Sequence, residues 1–106
     1  MGRVFQMAPL FGAFPAEGCH AAAFRLREVE PCFDAQDEIV LDFTGVRIVN
    51  SSFANALIVP LLEQRGETAL KKLLFRGCSP VIRVMIEGAL SLGLQRANEN
   101  GHRATV

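Results

Sequence analysis

Hydrophobic and polar positions along the chain follow two rhythms. Val4, Phe5 and Met7 offer core positions in a short run, which predicts a first strand over residues 3–7. Residues 8–15 are apolar but broken by Pro9, Gly12 and Pro15, and read as a packed loop. Residues 17–29 take up helical spacing and are rich in alanine; Pro31 predicts their end, because the residue before a proline avoids helical torsions. After a polar turn over 34–38 comes the stretch around which the chain is organised. Ile39, Val40, Leu41 and Phe43 predict a buried central strand, Thr44-Gly45 breaks it, and the run from Val46 to Val49 returns to the core. Asn50-Ser51-Ser52 then opens a helix, since Asn and Ser accept hydrogen bonds from the unpaired amides of a first turn.

That helix, over residues 52–64, has apolar side chains around most of its circumference, Phe53, Ile58, Val59 and Leu62 among them. A helix apolar on every side is either buried or meets a second protein. In a chain of 106 residues full burial is hard to arrange, so Phe53, Ile58, Val59 and Leu62 are expected to bind a partner. Pro60 lies inside the helix, where a proline costs about 3 kcal/mol, and no neighbour in sequence explains what offsets it. Residues 65–69 read as a connector with Gly66 as the helix stop, and 71–76 as a third strand with Leu73 and Phe75 on one face. Ser79-Pro80 opens a last helix whose Val81, Ile82, Met85, Ile86, Ala89 and Leu90 have the spacing of a core face. A domain over 1–94 and a poorly ordered tail over 95–106 follow from the fall in apolar content. Strands alternating with helices predict an α/β fold with a small, mostly parallel sheet of three to four strands. In such sheets functional groups gather beyond the carboxyl ends of the strands.

Composition narrows the function. Eleven basic and eleven acidic residues cancel, which removes the electrostatic case for nucleic acid and leaves little repulsion against a homo-oligomer. No apolar run reaches the roughly 20 residues that span a bilayer, and three cysteines without close pairing point to a reduced, cytoplasmic protein. Cys78 precedes a helix, where a thiol can turn reactive. A small cysteine-dependent hydrolase or redox protein is therefore the alternative function, although Arg83 stands five residues on rather than six and no phosphate-cradling loop follows. Cys19, His20, Cys32 and Cys78 do not read as a zinc site, because neighbours 19 and 20 cannot easily both ligate and no second pair follows. No metal or other cofactor is expected. Asp42 within a buried strand needs donors, from loop amides or Arg47, and reads as structural.

Leu41-Asp-Phe-Thr-Gly-Val followed by Ile48-Val-Asn-Ser-Ser-Phe-Ala resembles the STAS domain superfamily, which includes the bacterial anti-sigma factor antagonists. More closely, it resembles the STAS-like family of unknown function found in bacteria, over residues 11–94. In the antagonists a strand leads to Asp-Ser-Ser-Gly-Leu at a helix start, and a partner that is both kinase and anti-sigma factor phosphorylates the first serine. By position Asn50 stands at the Asp, Ser51 at the phosphoacceptor and Ser52 at the second serine, while Phe53-Ala54 replaces Gly-Leu. The resemblance implies a non-enzymatic regulatory module in signalling that docks through the helix 52–64. Ser51 would be its phosphoacceptor, Asn50 and Ser52 its cap and switch loop, and a histidine-kinase-like ATPase acting as serine kinase its partner. A phosphate on Ser51 would face free amides at the positive helix end, adding about −1.5 to −2 charges beside the docking surface. Plain helix capping is the competing reading of both serines.

Overall fold

The computed structural model describes residues 2–35 and 37–105, with side chains as far as Glu99. Three four-residue strands, β1 (Arg3–Gln6), β2 (Ile39–Asp42) and β3 (Leu73–Arg76), form one sheet in the order β1-β2-β3, each pair parallel. The α/β class and the parallel sheet are those that the alternation of strands and helices predicts. Register places Phe5, Leu41 and Phe75 in one row and Val4, Val40 and Leu74 in the next. Successive rows point to opposite faces. Phe5, Ile39, Leu41 and Leu73 are buried, whereas Val4 is 50% and Leu74 43% exposed. The helices therefore cover one face. Strand order explains this, because two right-handed crossovers without a reversal of order lay their helices on the same side.

The first crossover contains α1 (Met7–Phe11), α2 (Gly18–Phe24), a π-helical turn (Arg25–Val29) and α3 (Glu30–Asp34); the second contains α4 (Ser51–Arg65) and α5 (Glu67–Lys72). A last helix, α6 (Pro80–Thr105), follows β3. Residues 8–15 are thus partly helical: Pro9 sits in the first turn of α1, where a missing N–H costs no hydrogen bond. Nor does Pro31 end the first long helix. The chain widens into the π turn, with the Glu30 amide donating to the Arg25 carbonyl, and Pro31 enters the first turn of α3. Residues 67–72 form a helix with Ala69 as its buried residue, too short to show periodicity, and Lys71 and Lys72 are its last turn rather than the start of a strand. The backbone of α6 continues through the boundary expected at Leu94, and Arg96 Nη1 lies 3.6 Å from Glu63 Oε1; Val106 lies outside the described residues.

At the centre of the core lies α4, packed between α2 and α6. Phe53, Ile58, Val59 and Leu62 are each 3% exposed or less. The expectation that these four bind a partner is therefore overturned. With all helices on one side of the sheet, α4 is enclosed by its own subunit, even in a chain this short. Two glycines let it be so. A Cβ at Gly93 of α6 would sit only 2.5 Å from Leu62 Cβ, and one at Gly18 would stand 3.1 Å from the Ser52 carbonyl oxygen.

The proline in this buried helix finds its counterpart across the α2–α4 contact. Pro60 has no N–H for the carbonyl of Ala56, one turn back. Arg25 Nε donates to that oxygen at 3.0 Å. Arg25 is itself buried, and its Nη1 lies 2.7 Å from Glu30 Oε2. Glu30 Oε1 also takes Arg65 Nη2 at 3.0 Å, and Arg65 stacks over the Phe33 ring with 4.9 Å to the centroid. A charged network at the π turn thus satisfies the carbonyl that the proline orphans.

Candidate functional site

The amino terminus of α4 is where strand, loop and helix converge. Beyond β2, Gly45 turns the chain at φ 88, and Val46 and Val49 anchor the following segment in the core. This loop is held by residues 12–17: the Arg47 amide donates to Ala13 O at 2.8 Å and the Asn50 amide to Pro15 O at 2.9 Å. Asn50 then adopts an extended backbone, and its Oδ1 accepts from the Ser52 amide at 2.8 Å. The cap of α4 is therefore Asn50. Ser51 and Ser52 are exposed in the first turn, and neither hydroxyl has a partner among the described residues. Plain capping, the competing reading of the two serines, is a task that the structure gives to Asn50.

Beside this turn lies a hollow of about 320 Å³ lined by Phe11, Phe14, Pro15, Glu17, His20 and Phe53, among others. It shares Leu10, Phe11 and His20 with a neighbouring hollow of about 390 Å³ that reaches Phe24 and Arg27. Its floor is aromatic: Phe11 meets Phe24 and Phe53 edge-on, with ring centroids 5.4 and 4.9 Å apart. Phe14 at 63% and Leu10 at 53% exposure stand on its rim. Sequence reasoning missed this surface, because it is built from the proline-broken segment 8–15, which has no period to read. Of the four residues expected to bind a partner, Phe53 alone lines it.

A second polar centre lies at the carboxyl ends of β2 and β3. Asp42 Oδ1 accepts from the Thr44 hydroxyl at 2.7 Å and the Thr44 amide at 2.9 Å, and Oδ2 lies 3.5 Å from Arg76 Nε. The loop amide expected as a donor is that of Thr44, and the arginine paired with the carboxylate is Arg76 rather than Arg47. Chiefly the Thr44 hydroxyl, then its amide, with a further contribution from Arg76, holds the Asp42 carboxyl below the usual aspartate range. Gly77, at φ 71, closes over this turn so tightly that a Cβ would collide with the Thr44 hydroxyl. Asp42 is thus consumed in a structural turn. Cys78 follows, half-buried, against Arg83 and Glu87. Burial pushes its thiol up against the opposing pull of Arg83, so it is protonated at neutral pH, the reverse of what a nucleophile needs.

No helix among the described residues is long and apolar enough to cross a membrane. No curated protein and no solved structure matches the chain. Residues 20–83, which run from α2 through the capped turn of α4 to the start of α6, match the STAS-like domain of unknown function (DUF4325). With a three-stranded parallel sheet, helices and more than half its length in that match, the chain belongs to this STAS-like family.

Proposed function

We propose that this protein is a non-enzymatic regulatory module of bacterial signalling in the manner of an anti-sigma factor antagonist, switched by phosphorylation of Ser51. The observation that carries the reading is the Asn50 cap. It leaves the Ser51 hydroxyl exposed and unengaged at the amino end of a 15-residue helix. A phosphate there meets the positive end of the helix and amides not used within it, so it is tolerated by the fold. The docking surface of this reading is the aromatic hollow beside the turn, with Phe14 and Leu10 exposed at its rim. Two negative charges added at its edge oppose an apolar contact by desolvation. The partner that fits is a histidine-kinase-like ATPase acting as serine kinase. The raised thiol of Cys78 removes support from the alternative of a cysteine-dependent enzyme.

Phosphopeptide mapping of the chain recovered from its native host tests the switch: phosphate on Ser51 is expected, and its absence under all growth conditions overturns it. Capture of the cognate kinase by the purified chain should be lost in Ser51→Asp and in Phe14→Asp but kept in Leu74→Lys, on the opposite side of the sheet.

A further inference from the structure

At the start of α2 the chain passes from the extended Glu17 into the first helical turn, which holds Cys19 and His20. A carboxylate oxygen of Glu17, Cys19 Sγ and a ring nitrogen of His20 all lie within 4.8 Å of one another, and all three residues are exposed. The Cys19 thiol stands 3.7 Å from Glu17 Oε2. A tetrahedral zinc-class ion, with metal–sulfur and metal–oxygen bonds of about 2.3 and 2.0 Å, has a sulfur–oxygen edge of about 3.5 Å. That pair is therefore already near ligand spacing, and the imidazole has to close on it by no more than an exposed side chain can travel. The sequence objection, that neighbours 19 and 20 cannot easily both ligate, rests on their divergence of about 100° round a helix. It weakens here because the Cys19 Sγ and a His20 ring nitrogen nonetheless lie within 4.8 Å of each other, and Glu17, in extended backbone, adds a third donor from outside the helix. The other two cysteines are engaged elsewhere, Cys32 buried with its thiol on the Glu28 carbonyl and Cys78 against Arg83.

One thiolate, one imidazole and one carboxylate make a donor set of mixed softness that suits zinc and cobalt better than magnesium or calcium. Three protein ligands leave a tetrahedral ion one open position. Glu17 and His20 also line the hollow of about 320 Å³ next to Phe53, so an ion held by them would sit at its edge. We propose that Glu17, Cys19 and His20 form a three-ligand site for a divalent cation of the zinc class, with its fourth position open, at the edge of the hollow beside the α4 amino terminus. This inference does not rest on phosphorylation or on a partner, and its test requires neither.

The test is titration of the reduced, full chain with cobalt(II) alone, followed by zinc(II). A single ion per chain should produce a thiolate-to-cobalt charge-transfer band, release the thiol proton and be displaced by zinc. Cys19→Ser should abolish the band, Glu17→Gln and His20→Asn should each weaken binding by roughly tenfold or more, and Cys78→Ser should leave it unchanged. Because the three side chains are exposed, the metal-free variants should melt as the wild type does. Absence of the band in the wild type, its survival in Cys19→Ser, or indifference to both Glu17→Gln and His20→Asn would overturn the proposal.

Discussion

Asn50 and Ser51 are neighbours with different work. Asn50 satisfies an amide of α4 that would otherwise be unpaired, so Asn50→Ala should destabilise the domain by about 1 kcal/mol. Ser51→Ala removes a hydroxyl without a partner and should stay within about 0.5 kcal/mol of wild type. Chemical denaturation of the two variants checks the contrast; equal losses would return the capping task to the serine. Asp42 carries a pH dependence. Its folded pKa lies below the unfolded value of about 3.9, so its contribution is complete above that value and is lost as pH falls through the lowered folded one. Thermal melts from pH 5 downward should therefore show a steeper acid loss for wild type than for Asp42→Asn. Residue type and neighbours suffice to mark Asn50 as part of a cap and Asp42 as a carboxylate in need of donors. The donors on Thr44 lie two residues on and within reach of a local reading, but the ion pair does not, because Arg76 arrives from a strand 34 positions away whose register only the sheet sets.

Among the elements, α4 shows where one-dimensional reading stops. Its extent and its apolar surround are evident from the residues, but being buried and docking a partner produce the same pattern. The enclosure of Ile58 decides between them. Ile58→Asp places an unpaired charge in the core and should cost more than about 4 kcal/mol, enough to unfold a domain of ordinary stability; far-ultraviolet circular dichroism of the variant is the check. Pro60 is explained one helix away. Arg25→Met leaves the Ala56 carbonyl without a donor and Glu30 with only Arg65, at an expected cost of about 3 kcal/mol. Pro60→Ala returns an N–H to that carbonyl, so it should be worth about 1 kcal/mol more in the Arg25→Met background than in the wild type. A double-mutant cycle that finds the two sites additive would dissociate them. The π turn that aims Arg25 is not legible in the residues, since Pro31 ordinarily marks a helix end and widening of a helix has no signature in spacing.

Across the whole molecule, the uncovered face of the sheet follows from strand order. Val4→Lys and Leu74→Lys should each change stability by less than about 0.5 kcal/mol, although Val4 reads as a core position in the residue pattern. Thermal melts of both check this, and a large loss would mean that the face is covered. The residue pattern alone determined the strand–helix alternation, the central strand, the capped start of α4 and the family likeness, because period, turn chemistry and capping act between residues close in the chain. Tertiary structure alone decided that α4 is core rather than surface, that segment 8–15 builds the aromatic hollow, and that Glu17, Cys19 and His20 converge at its edge. The reason is physical: burial, orphaned carbonyls and converging donors depend on which side of a sheet a crossover falls and how closely two helices approach. Residues distant in sequence settle those quantities together, and no local pattern records them.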